Sequence, residues 1–430
     1  MDLLIRYINY FVALLFIGCY AYQIIFMIIS LIKKPVKYKK APQDKRYAFM
    51  ICARNEESVI GNLVDSINDQ SYPAELIDVY VCADNCTDNT ALVAKQAGAV
   101  VFERFNKEKV GKGYALDFLF KKVHATSSDN YYDGYFIFDA DNLLDKRYVA
   151  EMNKAFCAGN EVVTSYRNSK NYDTNWVSAG YGLWFLRDAK HLNNVRSMLG
   201  ASCVVTGTGF LVSSKIIREY GGWKFYLLTE DIEFTIKNAL TNKKVGYCNA
   251  AKFYDEQPTR LIDSWKQRSR WARGYLQVFK KYRKDLIKGF FGENGFACFD
   301  MTMSIMPAII LSTFSVFINL VMIIMALIIN PDVLMDIVWS CLEACRNSLL
   351  MLFGIALVTT ITEWKEIRCS SFKKILYIFT SPIFMATYIP IAITSLFRKV
   401  QWDEIKHDDT KSITDMNKKR KKKNLRKNKL

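Results

Sequence analysis

The chain has 430 residues, 51% of them hydrophobic, 14% aromatic and 23% charged, with a formal net charge of +17. That length holds one large soluble domain of roughly 250 residues plus membrane segments, and the composition excludes both a wholly water-soluble and a wholly lipid-embedded chain. About half of the basic excess is one tail: Asn417 to Leu430 carries nine Lys or Arg and no acid, a solvated segment suited to anionic lipid headgroups rather than to specific nucleic acid.

The first element, Tyr7 to Ile32, is uncharged over 26 residues, enough to cross a ~30 Å hydrocarbon core as a helix. It is too long for a signal peptide, and "KKPVKYKK" follows as a stop-transfer flank, so residues 1–34 read as an uncleaved anchor. Lys33, Lys34, Lys37, Lys39 and Lys40 against Arg6 put the N-terminus outside and the following domain in the cytosol. The expected location is the plasma membrane, multi-pass.

Residues 45–259 alternate strand and helix patterns. "RYAFMICAR" reads as a buried strand, "NEESVIGNLVDSINDQ" as a helix, "LIDVYVCAD" as a strand, "CTDNTALVAKQAG" as a short helix, "AVVFER" as a strand, "GKGYALDFLFKKVHA" as a helix and "DGYFIFDADN" as a strand ending in acids. This order predicts a mostly parallel, doubly wound α/β sheet, with ligands beyond the carboxyl ends of its strands. Residues 260–299, containing "QRSRW", read as amphipathic interfacial helix, with Tyr275, Phe279, Tyr282, Leu286 and Phe290 as the apolar stripe.

Residues 300–400 hold further membrane helices. Met301 to Asn330 is uncharged over 30 residues and Ile375 to Phe397 over 23. Val333 to Thr362 carries Asp336, Glu343 and Arg346, and is either a span with polar positions facing protein or an interfacial hairpin. If all three cross, the basic tail of residues 401–430 lies outside, against the positive-inside rule; one of them is then interfacial or re-entrant, and Pro382 and Pro390 make Ile375–Phe397 irregular. The eleven cysteines are scattered and odd in number, which fits reduced, buried thiols with no metal site resting on them. His124, His191 and His407 are isolated and need no catalytic role.

The candidate site residues stand at strand ends. Ala53-Arg54-Asn55-Glu56, Ala83-Asp84-Asn85 and Asp139-Ala140-Asp141 follow apolar runs. Asn, Asp and Glu also cap helices and form turns there. Asp139 and Asp141, two apart on an extended chain, point the same way, and a divalent cation between them relieves their repulsion. Magnesium or manganese takes such hard oxygen ligands beside a nucleotide diphosphate.

"ARNEE" at 53–57, "ADNCTDNT" at 83–90, "FDADN" at 138–142, "TED" at 229–231 and "QRSRW" at 267–271 resemble the ordered motifs of glycosyltransferase family 2. More narrowly, they are similar to those of its processive membrane synthases of cellulose, chitin, hyaluronan and poly-N-acetylglucosamine. The resemblance implies a GT-A fold inserted between transmembrane helices, and a hexosyl or N-acetylhexosaminyl transfer. Ala53, Arg54, Glu56 and Asp84 would bind the uridine of a UDP-sugar, with Lys112 near its diphosphate; Asp139 and Asp141 would hold Mg2+ or Mn2+, and Asp231 would be the base. Thr208, Glu230, Gln267, Arg268, Arg270 and Trp271 would serve the acceptor and diphosphate: Arg268 and Arg270 as forks for phosphate, Gln267 as a neutral hydrogen-bonder, Trp271 as a stacking face. "VQWDEIKH" at 400–407 is faintly similar to the Trp-containing gating loop of these synthases.

Single displacement with one base inverts the anomeric centre, so the expected activity is β-linked polysaccharide synthesis at the lipid bilayer, processive and coupled to export, with room for an accessory export subunit. The alternatives are single-sugar transfer to a lipid or lipid-linked acceptor and, in another class, an inactive membrane scaffold. Retention of Asp84, Asp139, Asp141 and Asp231 argues against the scaffold.

Overall fold

The computed structural model describes residues 2–128, 131–329, 331, 334–397 and 405–416; Trp402 and the basic tail from residue 417 onward lie outside the described residues. After α1 (Asp2–Ile32) the alternation predicted from sequence is present: β1 (Tyr47–Ala53), α2 (Ile60–Asn68), β2 (Ile77–Asp84), α3 (Thr90–Gln96), β3 (Val100–Arg104), α4 (Lys112–Thr126) and β4 (Gly134–Asp139). Strand β1 shows why it is apolar throughout rather than alternating. Its Tyr47, Phe49 and Ile51 pack with Ile60 and Leu63 of α2, while Ala48 and Met50 pack with Leu116 and Leu119 of α4. Both faces of the strand are covered, so neither tolerates polar residues.

The chain continues through β5 (Leu143–Leu144), α5 (Tyr148–Cys157), β6 (Val162–Ser169), α6 (Trp176–Arg187), a π-helical turn (Asp188–Asn193), α7 (Asn194–Met198), β7 (Phe210–Ser213), α8 (Ser214–Glu219), α9 (Glu230–Leu240) and β8 (Val245–Asp255). One eight-stranded sheet results, in the order β3-β2-β1-β4-β7-β6-β8-β5. It is mixed rather than mostly parallel: β3, β2, β1 and β4 are parallel, β7 runs antiparallel to both β4 and β6, and β5 is antiparallel to β8. This is a GT-A-like fold. Strand order reverses between β1 and β4, where Cys52 is paired with Asp139. A crevice opens beyond their carboxyl ends, where open α/β sheets bind ligands.

The remaining helices are α10 (Leu261–Gly289), α11 (Gly295–Ile305), α12 (Pro307–Ile329), α13 (Leu334–Thr362), α14 (Ser371–Ala386) and α15 (Tyr388–Phe397). Among the described residues four segments are long and apolar enough to cross a membrane: Leu4–Ile32, Pro307–Ile329, Leu334–Thr362 and Ser371–Phe397. Three details differ from the sequence reading. The second segment starts at Pro307 because proline ends α11 and opens α12. Segment Leu334–Thr362 is one continuous helix, not a hairpin, and Glu343 and Arg346 pair with each other at 3.7 Å on its exposed face instead of facing protein. The apolar stripe of α10 faces protein: Tyr275, Phe279, Tyr282 and Phe290 pack with Ile236 of α9 and Met301 of α11.

The last segment meets the α/β domain at both ends. Near its start, Lys373 Nζ donates to the Asp173 carbonyl at 2.5 Å and Tyr377 packs on Tyr172. Beyond its end, residues 405–416 return to the domain, where Asn62 Nδ2 donates to the Thr410 carbonyl at 3.1 Å and Lys170 Nζ to the Asp409 carbonyl at 2.8 Å. Gly180 of α6 permits this packing, since a Cβ there would stand 2.3 Å from the Phe384 ring of α14.

Candidate active site

The crevice is a cavity of about 220 Å³ that extends from the strand ends to α10. At one end are Ala53, Arg54, Glu56 and Asp84; Lys112, Asp139 and Asp141 lie on its wall with Glu230 and Asp231; Gln267, Arg270 and Trp271 line it from α10. Two asparagines shape the strand-end turns. Asn55 and Asn85 adopt left-handed φ of 56° and 54°, a conformation asparagine tolerates better than most residues. Asn55 Oδ1 accepts from Thr87 N at 2.8 Å, and Asn85 Oδ1 from Asn106 N at 2.8 Å.

Asp84 is buried and ion-paired with Arg104, and Asn85 Nδ2 donates to it at 3.1 Å. Burial raises its carboxyl above the usual range while Arg104 opposes the shift. Lys112, at the N-terminus of α4, is ion-paired with Asp139, donates to the Gly207 carbonyl at 2.7 Å and stands 3.9 Å from Glu230. Asp141 Oδ2 accepts from Glu256 N at 3.0 Å, and its Oδ1 from Asn142 Nδ2 at 2.8 Å. Asp231 sits half-buried in the first turn of α9. Burial raises both its carboxyl and that of Glu230, with Lys112 and Arg270 opposing. Glu233 fixes the preceding loop, its Oε2 accepting from Tyr226 N at 3.0 Å and Leu227 N at 3.1 Å.

Two of the residues expected in the site point elsewhere. Arg268 is fully buried, donates to the Phe384 carbonyl at 3.0 Å and stacks 4.3 Å from the Phe384 ring centroid. On a helix, residues 267, 270 and 271 fall within an arc of about 100° and 268 lies outside it, about 100° from 267 and about 60° from 271; packed on Phe384, this guanidinium caps the interruption between α14 and α15. Thr208 is also buried; its Oγ1 donates to Asn142 Oδ1 at 2.6 Å and accepts from Asp139 N at 2.9 Å. It holds the Asp139 turn and does not line the cavity. The adjacent Gly209 has φ 68°, and a Cβ on it would lie 2.2 Å from the Phe253 ring.

Several further wall residues lie outside the motifs matched above. Arg167, two residues before the end of β6, and Asp255, the last residue of β8, are ion-paired, and Arg167 lies 3.5 Å over the Phe185 ring. Asp188, Trp184 and Phe185 come from the aromatic stretch "YGLWFLRD". His407 is not isolated: its Nδ1 is 2.9 Å from Glu56 Oε1 and its Nε2 3.9 Å from Asp141 Oδ2. Burial alone would lower its pKa, but Glu56 and Asp141 reverse that and lift it to about 10. Burial lifts Glu56 to about 7 against the pull of His407.

The residues present fit a divalent cation. Carboxylates outnumber Lys and Arg around the cavity, so a nucleotide diphosphate entering it meets net negative charge that a metal ion offsets. No cluster of three His, Cys, Asp or Glu side chains arranged to hold a metal occurs among the described residues. The fit is therefore to Asp139 and Asp141 with the remaining ligands from diphosphate and water, as magnesium and manganese sites commonly have.

The model of the family described as Glycosyltransferase like family 2 matches residues 42–274. The β-monoglucosyldiacylglycerol synthase of Synechocystis sp. is 28% identical over 239 residues, covering 54% of this chain and 48% of the relative. The poly-β-1,6-N-acetyl-D-glucosamine synthase of Staphylococcus epidermidis is 22% identical over 238 residues, covering 55% of this chain and 56% of the relative. The chain thus spans about half the length of the curated relatives it matches. Among solved structures, the mannosyltransferase PcManGT from Pyrobaculum calidifontis, in complex with GDP-Man and Mn2+, superposes with a TM-score of 0.53 at 16% identity, covering 90% of this chain and 99% of that one.

Proposed function

Because the chain belongs to Glycosyltransferase like family 2, we propose that it is an inverting, metal-dependent transferase, moving a sugar from a UDP-sugar to an acceptor hydroxyl delivered from the membrane side. The observation that carries this reading is the continuity of one cavity from Asp84 past Asp139 and Asp231 to Trp271. Arg54, Glu56 and Asp84 bind the nucleoside. Asp139 and Asp141 would hold the metal, which would supply charge neutralisation for the departing diphosphate. Lys112 and, from α10, Arg270 add positive charge to the same cavity.

Asp231 takes the acceptor's proton. A carboxylate in that role is worth about 10²- to 10⁴-fold in rate, and burial raises its proton affinity toward the working pH. Attack on the face opposite the diphosphate converts an α-linked donor into a β-linked product. Gln267 and Trp271 receive the acceptor. The Trp271 ring is half-buried, edge-on to Tyr181 with centroids 5.8 Å apart, and lines the cavity.

The acceptor we favour is a growing β-linked polysaccharide, because Gln267, Arg270 and Trp271 face the cavity together. A second reading, transfer to a lipid acceptor, is favoured by the first relative above, a glycolipid synthase. With both ends of Ser371–Phe397 against the domain, that segment is re-entrant or interfacial, which keeps residues 405–416 on the cytosolic side at the plasma membrane. Reconstitution in lipid nanodiscs with labelled UDP-sugars, and GDP-Man for comparison, tests the reading: a water-soluble ladder of sizes supports the polysaccharide, a single chloroform-extractable product the lipid, and no release of nucleotide from any donor overturns both.

A further inference from the structure

Helices α6 and α7 form one run interrupted by the π-helical turn Asp188–Asn193. Such turns insert a residue into the helix and are frequent where a side chain is re-aimed for function. Here the side chain at the start of the turn is a carboxylate on the cavity wall. Trp184 and Asp188, four apart, stand on one face, and Trp184 Nε1 donates to Asp188 Oδ2 at 3.1 Å while Arg187 donates to its Oδ1 at 3.3 Å. An ionised carboxylate offers about four acceptor positions. Two are used by these donors, and the side chain keeps 20% exposure.

The surroundings suit a sugar ring. The Trp184 ring is edge-on to Trp271 at 6.4 Å and to Tyr388 at 6.0 Å, and Phe185 is 6.3 Å from Trp271. The Asp188 and Asp231 carboxylates are both near enough to Tyr275 to disfavour its phenolate, after burial and Tyr388. Asp188 lines the same cavity as Asp231, Tyr275 and Trp271, four residues after Trp184, whose ring meets that of Trp271. The catalytic scheme above leaves it without a task.

We propose that Asp188, oriented by the indole of Trp184, is the specificity-determining residue of the acceptor subsite, accepting hydrogen bonds from two neighbouring hydroxyls of a terminal pyranose that rests among Trp184, Phe185 and Trp271. This rests on the transferase reading and names the acceptor chemistry. A polar contact of this kind discriminates between acceptors, because one lacking the hydroxyls leaves the two remaining acceptor positions of a largely desolvated carboxylate unfilled.

The test uses the full chain in nanodiscs with the UDP-sugar that it hydrolyses fastest, and cellobiose or N,N′-diacetylchitobiose as soluble acceptors. Transfer to the disaccharide and release of UDP to water are measured side by side. Asp188→Asn, which keeps an oxygen for the Trp184 indole, is expected to lower transfer at least tenfold more than hydrolysis, chiefly by raising the half-saturating acceptor concentration. Trp184→Phe, which keeps a ring but removes the indole donor that orients the carboxylate, is expected to act in the same direction and decides the matter if Asp188→Asn fails to fold. Equal loss of transfer and hydrolysis, or an unchanged acceptor dependence, overturns the proposal. So does a wild-type protein that hydrolyses donor yet ignores both disaccharides and glycosylates diacylglycerol vesicles. Failure of the wild type to release UDP from any donor is a different result, and sinks the transferase reading itself.

Discussion

Replacing Arg104 with Met removes the guanidinium from Asp84 and keeps a side chain of similar length. Both side chains are 8% exposed, so Asp84 is left buried with Asn85 as its neutral donor, and the Lys109 carbonyl loses the Arg104 donor at 2.6 Å. Removing one partner of a buried pair costs about 3–5 kcal/mol, since the other charge stays desolvated. At roughly 2–4 °C per kcal/mol for a domain of this size, the unfolding midpoint falls by about 6–20 °C. The pH dependence has a definite sign. Burial already raises the Asp84 carboxyl, and without Arg104 it rises further. A carboxyl raised in the folded state destabilises above its folded pKa, and that penalty disappears as pH falls through it toward the unfolded value near 3.9. The gap between Arg104→Met and wild type therefore narrows on acidification, and adding Asp84→Asn recovers part of the loss at neutral pH. Thermal unfolding in detergent at several pH values reads all three. A variant melting within about 2 °C of wild type at neutral pH, less than 1 kcal/mol on the same scale, would refute the reasoning.

Asp141→Asn should lose divalent-dependent turnover while its hydrogen bond to Glu256 N keeps the fold; full activity of this variant with magnesium and manganese chelated ends the metal assignment. Trp271→Ala should remove about 1–3 kcal/mol of acceptor binding and depress polymer formation far more than donor hydrolysis, with parallel loss of both, rescued by Trp271→Phe, pointing to a packing role among Tyr181, Trp184 and Phe185 instead. Gly209→Ala forces a left-handed non-glycine and a contact with the Phe253 ring, and should cost about 2–5 kcal/mol by strain and overpacking together; a melting temperature equal to wild type contradicts that geometry. Because Asp231 must be ionised to accept a proton and burial raises its carboxyl, kcat/KM should rise with pH through an acidic limb above the ordinary Asp range near 3.9, and a limb at or below that value would remove Asp231 as the base.

Local pattern carried the parallel half of the sheet. Strands such as Tyr47–Ala53 are continuous apolar runs bounded by polar turns, and strand-end acids such as Asp84 and Asp139 reach the cavity because every parallel strand ends on the same side. The antiparallel insertion of β7 between β4 and β6 was not legible, because four residues, Phe210–Ser213, have no periodicity that reports their direction. Within "QRSRW" the helical period puts Arg268 only about 60° beyond Trp271, and its packing against Phe384, 116 positions away, is what turns it from the cavity. His407 is the opposite case: its partner Glu56 is 351 positions away, and nothing local to "IKHDD" announces that contact.

The central claim is that Asp231 deprotonates the acceptor in a donor site built by the other motifs, and the most direct test measures UDP affinity by calorimetry and sugar transfer in the same preparation of Asp231→Asn. The account predicts affinity close to wild type, with transfer reduced by about 10²- to 10⁴-fold. Transfer within tenfold of wild type, or affinity that falls as steeply as transfer, would contradict it.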